Sequence, residues 1–579
     1  MGREQAGGIK LWLLCTLAVF IAVLGAWYYA QPEAHEGVDI TAAAKTAAAP
    51  AGQVSAAAIP QSDLPPEGTR SLFDHLLAQN DGLPYPFEEL VAMLQRYDAD
   101  GRPPVQLLIP EGRSLLKAQA DFALPRLLYA ADFQAPNTPA SLGITPRGQL
   151  FLGFVEGADE IEVISYNEFA GRFEFQLVKD YRADGVPKIV YAQRAVCLTC
   201  HQGEAPIFPQ RPWNETNGQP EVAEQIAAAR PDHSHYLGVP HANPLAAPER
   251  FDELTDVANF IPVSQRAWLD GCGAQGSACR RQMLTVALQF LWNPSDFDAA
   301  GASAQALRDA QQGTWPAAGI AVPESDIANR DPLDEKRGLR AWLRELLHSA
   351  PQLPGAKSND DLEAFDALPK LPARLDPLSP RGARRILSAE DLDGAFGLAQ
   401  LFTRADQQLL EAAADYDWPT LASAIQALPD DQFSARPFSR VRSLNALLEQ
   451  LQHSPLAYCC DDTSALSPPI VGGLPPLALA ADSPLQPYQE YCFACHRGNP
   501  AARLNFMAGE DAEAVLARIR DTDSIRDALD WPRYQGTDKA ALLMPPADSL
   551  QRRQMQAAID AGELSLEDMR DVVPSMFDF

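Results

Sequence analysis

Two five-residue segments carry the chemistry of this chain: Cys197-Leu198-Thr199-Cys200-His201 and Cys492-Phe493-Ala494-Cys495-His496. Two thiols three positions apart can each form a thioether with one vinyl group of a single haem, and the histidine next in the chain then lies under the iron as proximal ligand. Cys197, Cys200, His201, Cys492, Cys495 and His496 are therefore the candidate haem-binding residues, with His201 and His496 on iron. The implied cofactors are two covalently bound haem c groups. Zinc is one competing reading, but structural zinc sites bring their cysteine pairs close in sequence, whereas roughly three hundred residues separate these. A redox dithiol is another, yet it needs no histidine after the second cysteine, and both copies have one. With only nine cysteines in 579 residues, a double occurrence by chance is rare.

The second motif comes after a short helical stretch, Tyr488-Gln489-Glu490-Tyr491, and is succeeded by Met544-Pro545-Pro546 and the run from Ser549 to Gly562. On these residues the segment from about Ala481 to Glu567 resembles a class I cytochrome c domain. The resemblance implies an all-α domain in which Met544 is the distal ligand opposite His496 and the run from Ser549 packs as a closing helix on the first. Met/His ligation raises the reduction potential relative to bis-His and suits electron transfer. Met507 is a rival ligand, although a methionine is by default an adaptable core residue. Family members often carry an aromatic residue in the closing helix. This chain has Ala557-Ala558-Ile559-Asp560-Ala561-Gly562, a smaller apolar contact.

Around His201 there is no comparable distal signature. His233, His235 and His241 are the nearest candidates, each with an ordinary loop role as the alternative, and Met283 on an expected helix is weaker still. An open sixth position would admit peroxide or oxygen while the C-terminal haem supplies electrons, a division of labour resembling di-haem peroxidases. The layout differs from that family, because strands precede the first motif and a long helical region separates the two. The strand before the motif also resembles exported haem-binding sensory domains, but no output domain accompanies it. The expected function is electron transfer by a membrane-anchored periplasmic di-haem cytochrome c. The alternative is a peroxidase- or oxygenase-like haem enzyme, the first haem being its catalytic centre and the second its relay.

The elements that must position these motifs read unevenly. Residues 149–155, 160–166, 172–178 and 188–191 are β-branched and aromatic, and Asp184-Gly185 lies between the last two runs like a hairpin turn, so a small antiparallel sheet leads into the first motif. The Pro-rich loop after it carries Phe208 and Trp213, suited either to wrapping a haem face or to capping a core. From Val222 to Leu451 apolar residues recur three and four apart, as in Met283–Trp292 and Leu339–Leu347. The expected fold is mainly α with a smaller α+β N-terminal part and an all-α C-terminal domain. Its divisions are a tail and transmembrane anchor at 1–30, an Ala/Pro-rich linker at 31–66, an α+β region with the first motif at 67–250, a helical region at 251–465, a Pro/Ser-rich linker at 466–485 and a cytochrome c-like domain at 486–579.

Ile9 to Tyr29 has no charge except Lys10 and is close to the roughly 20 residues that cross a bilayer. Arg3 and Lys10 lie on its N-terminal side and Glu33, Glu36 and Asp39 beyond it, so the positive-inside bias exports the chain from Gln31 onward. A single-pass bacterial inner-membrane protein with periplasmic haem domains is expected, a cleaved signal peptide being the competing reading. Cys15 within the span reads as a buried spectator thiol. Export fits haem attachment outside the cytoplasm and permits disulfides. Cys272, Cys279, Cys459 and Cys460 allow three pairings; a Cys272–Cys279 bridge is the simplest, leaving adjacent Cys459 and Cys460 to bond each other or stay thiols. The net charge of -29 repels nucleic acid and can steer a basic redox partner protein.

Overall fold

The computed structural model describes residues 62–80, 82–97, 103–110, 120–133, 147–198, 201–206, 208, 213–242, 246–323, 385–472, 477, 479–480, 482–496, 506–507, 509, 511–520, 523–537, 543–545 and 550–572. The segment read as a membrane anchor lies outside these. Among the described residues no helix is long and apolar enough to cross a membrane.

Six strands form an antiparallel sheet in simple chain order: β1 (Val105–Ile109), β2 (Arg126–Ala130), β3 (Leu150–Val155), β4 (Glu160–Asn167), β5 (Arg172–Lys179) and β6 (Lys188–Tyr191). Successive side chains point to opposite faces, and here both faces are covered. Ala130, Phe151, Ile164 and Phe175 stand in register across four strands. Their face shares one buried cluster with Phe251, Leu254, Ala258, Met283 and Leu284 of the helices later in the chain. The other face, with Leu108, Tyr129, Leu152, Phe154 and Val163, packs against Phe73, Leu76, Phe87, Leu90 and Ile226. The fold is thus mixed, with the sheet in the N-terminal half.

Helices α1 (Leu72–Ala78) and α2 (Phe87–Gln95) precede the sheet, and α3 (Arg194–Leu198) and α4 (Pro220–Ala229) come after it. Next are α5 (Ala246–Arg266), α6 (Ser277–Trp292), α7 (Ala302–Gln311), α8 (Asp393–Ala399), α9 (Arg404–Ala413), α10 (Trp418–Ala427) and α11 (Arg440–Gln450). Helix α5 ends in a π turn, Ala267–Gly271, whose carbonyls need partners. Buried Arg280 supplies them, donating to the carbonyls of Trp268 at 2.8 Å and Leu269 at 3.3 Å. Helix α8 lies close on α5 and α6 because Gly394 has no side chain: a Cβ there would sit 2.5 Å from that of Ala267. Two disulfides join Cys272 to Cys279 and Cys459 to Cys460.

A separate apolar cluster, including Tyr488, Tyr491, Phe506, Met507, Val515, Trp531, Met555 and Met569, organises the C-terminal helices. These are α12 (Gln486–Tyr491), α13 (Phe493–His496), α14 (Ala512–Arg520), α15 (Asp523–Ala528), α16 (Trp531–Tyr534), α17 (Leu550–Asp560) and α18 (Leu566–Asp571). Helix α17 packs on α12. The Tyr488 hydroxyl donates to the carbonyl of Met569 at 2.7 Å, tying α12 to α18 as well.

Candidate functional site

The sheet delivers the first motif. The chain leaves β6 at Tyr191, and Ala192 still donates to the Phe175 carbonyl at 2.9 Å. Arg194 then fixes the start of α3. Its backbone N–H donates to Asp63 Oδ1 at 2.8 Å, Nη1 donates to the carbonyl of Phe173 at 2.6 Å, and Nη2 reaches Glu204 at 3.2 Å. Behind it, Glu174 accepts two bonds from Arg172, at 2.9 and 3.0 Å. Burial pushes the Glu174 carboxyl up, against the pull of Arg172 and Arg194. The motif therefore stands on a buried charge network anchored to β5.

The His201 N–H donates to the Cys197 carbonyl at 2.9 Å. The His201 Nδ1 lies 2.9 Å from the carbonyl oxygen of Pro206. A carbonyl only accepts, so Nδ1 carries the proton and Nε2 keeps its lone pair. Burial pushes the imidazole down to about 4, which holds it neutral, the form that binds metal. The intervening turn needs glycine: Gly203 has φ +69°, and a Cβ there would lie 2.7 Å from Pro323 Cγ. The donor set thus fits a haem iron, because the carbonyl holds the proton on Nδ1 and leaves the lone pair on Nε2.

Two aromatic rings lie beside this histidine. Phe175 lies 5.4 Å and Phe208 6.4 Å from its ring, and Phe208 in turn meets Phe151, Trp213 and Phe251 at 5.0–6.1 Å. Phe208 and Trp213 of the Pro-rich loop are therefore both core residues and neighbours of the motif. The histidines named as distal candidates stand elsewhere. His233 and His235 are exposed. His241 is buried at the β7–β8 hairpin (His235–Tyr236, Val239–Pro240), whose Tyr236 and Val239 pack on the opposite face of the sheet. Met283 is buried beneath Gly394 in the helical layer.

At the second motif, Cys492 donates its N–H to the Tyr488 carbonyl at 2.8 Å and His496 donates to the Cys492 carbonyl at 3.0 Å. The His496 ring stacks on Phe506 at 4.3 Å. Met507 donates its N–H to the carbonyl of His496 at 3.1 Å, so it is joined to the backbone of the second motif's histidine. Met544 sits on a separate segment, held by an N–H bond to Ala528 at 2.9 Å and by the Trp531 indole donating to its carbonyl at 2.9 Å. Cys197 is half-buried and Cys492 buried, and both lie outside the two disulfides. Cys200 and the side chain of Cys495 fall outside the described residues.

The fold brings the two motifs together: α3 packs against α13. No family model matches this chain, and no curated protein or solved structure matches it either. The side chains themselves therefore carry the functional argument. Among the described residues no three His, Cys, Asp or Glu side chains converge as a metal site, and a haem held by thioethers and one histidine requires no such group. The Pro206 carbonyl, Arg194 and Phe175 were not legible as site residues; the one signal was a proline five positions after His201.

Proposed function

We propose that this chain is a membrane-anchored periplasmic di-haem cytochrome c that transfers electrons to or from a redox partner protein. The observation that carries the reading is the bond from His201 Nδ1 to Pro206, which prepares Nε2 for iron at the end of a Cys-x-x-Cys-His segment. Helix α17 packed on α12 supports a class I cytochrome c-like C-terminal domain, in which Met544 would be the distal ligand opposite His496. When bound, the haems supply one-electron chemistry. Cys197 and Cys200 with His201, and Cys492 and Cys495 with His496, would hold the two groups, and Phe175 and Phe208 lie beside the His201 ring. Expression with a haem-maturation system should add the mass of two haems, and Cys197→Ala with Cys200→Ala should remove one. A protein that gains no haem mass sinks the proposal.

A second reading leaves the sixth position of the first haem open, because His233 and His235 are exposed and His241 adjoins a hairpin that packs on the opposite face of the sheet. The first haem would then be a catalytic centre of peroxidase or oxygenase type. A high-spin signal and reaction with peroxide mark this reading, and two low-spin signals exclude it.

A further inference from the structure

We infer that α3 and α13 form one electron-exchange junction, so that the two haem attachments work as a coupled pair rather than as independent centres; this rests on the di-haem reading above. Three features of the chain bear on it. The two motif helices, far apart in sequence, pack directly on one another. Each is held rigidly on its own side: α3 by the Arg194 bonds to Asp63, Phe173 and Glu204, and α13 by the backbone bonds of Cys492 to Tyr488 and of Met507 to His496.

The third feature is the stitch that keeps the two sides together. The Pro/Ser-rich segment before the C-terminal helices is not a loose tether throughout. Tyr191, the last residue of β6, donates its N–H to the Ile470 carbonyl at 2.7 Å, and Gly472 donates back to the Tyr191 carbonyl at 2.7 Å. Val471 thereby adds to the sheet beside the strand that leads into Cys197. About twenty residues then remain between this anchor and Cys492, and a chain of that length keeps the second motif at high effective concentration near the first. Leu198 and Phe493 are partly buried apolar residues of the two helices.

With haems held by Cys197, Cys200 and His201 and by Cys492, Cys495 and His496, the junction would support a one-electron exchange, one centre oxidised as the other is reduced, with no bond formed or broken. The external partner need then reach only one haem. The test uses the full chain loaded with both haems and verified by mass. In the fully oxidised protein the ferric EPR signals should be broadened or shifted, and partial reduction should restore an undistorted signal from the haem left oxidised. Gly472→Pro removes the N–H that closes the stitch and should lessen the distortion while mass still reports two haems. A spectrum that equals the sum of two undistorted signals at every stage of reduction, with both haems present, overturns the junction and leaves the di-haem reading standing. Absence of haem mass overturns both.

Discussion

Arg440 Nη1 lies 2.6 Å from Asp406 Oδ2, and both side chains are almost wholly buried. The same carboxylate accepts from the Thr403 N–H at 2.7 Å, closing a capping box at the start of α9. One acid therefore both caps a helix and ties it to α11. Burial works against the Arg440 charge, but Asp406 and Glu168 hold it protonated. Removing one partner leaves the other charged and buried, at a cost of about 3–5 kcal/mol. Asp406→Ala should lower the unfolding free energy by about that amount in urea melts and leave the haem spectra unchanged. A loss of under about 1 kcal/mol, the range of exposed pairs, would show that the pair does not hold the helices.

His75 on α1 supplies a pH dependence. It is 5% exposed, and burial, with the charge of Arg70 second, pushes its imidazole down from 6.5 to about 4, while Asp461 and Asp462 pull it up. The unfolded chain then binds more protons than the native one between these values, so this stability is complete above 6.5 and is lost as pH falls toward 4. The full difference is about 3 kcal/mol. Urea melts of the native chain and of His75→Gln, at pH 7 and pH 4, should show the variant losing about 3 kcal/mol less on acidification. Equal losses would remove His75 as the cause, since the buried Asp74 and Glu174 are unchanged in the variant.

Much of the sheet was legible because its strands β3 to β6 are rich in β-branched and aromatic residues, and the runs at 149–155, 160–166, 172–178 and 188–191 fall within a residue of Leu150–Val155, Glu160–Asn167, Arg172–Lys179 and Lys188–Tyr191. Strands β1 and β2 carry no such signal. Val-Gln-Leu-Leu-Ile and Arg-Leu-Leu-Tyr-Ala are leucine-rich, leucine is a good helix former, and burial on both faces erases the alternation that marks a half-exposed strand. Ser62, Asp63 and Leu64, at the end of the Ala/Pro-rich stretch, bind Arg172 and Arg194 through long-range bonds that composition does not encode. The Cys-x-x-Cys-His segments could be read as haem candidates because their chemistry is local in sequence. The packing of α3 on α13 was not, because it depends on contacts across the whole chain.

The two disulfides differ in what they restrain. Cys272–Cys279 closes a loop with a sequence separation of 7 at the junction of α5 and α6, where Arg280 already gathers carbonyls. Loop-closure entropy for a ring of that size corresponds to about 2–3 kcal/mol. Cys459–Cys460 joins neighbours and removes little freedom from the unfolded chain. Replacing Cys272 and Cys279 by Ala should therefore lower stability by about 2–3 kcal/mol, and replacing Cys459 and Cys460 by clearly less. Chemical denaturation of both double variants checks the order, and a larger loss from the adjacent pair contradicts it.

The two methionines near the second motif make different predictions. Met507 is fully buried, and its backbone is bonded to the carbonyl of His496 itself, beside the Phe506 ring that stacks on that histidine. Met544 is half-buried on a segment that Trp531 and Ala528 hold independently of the motif. On the proposed reading Met544 gives its thioether to iron while Met507 fills the core, so equal substitutions should have unequal effects. Met544→Leu should abolish the sulfur-to-ferric-iron absorption band and lower the potential of one haem, because a sulfur ligand is lost. Met507→Leu conserves volume and should cost under about 1.5 kcal/mol of stability with that band intact. Loss of the band in the Met507 variant alone would reassign the ligand.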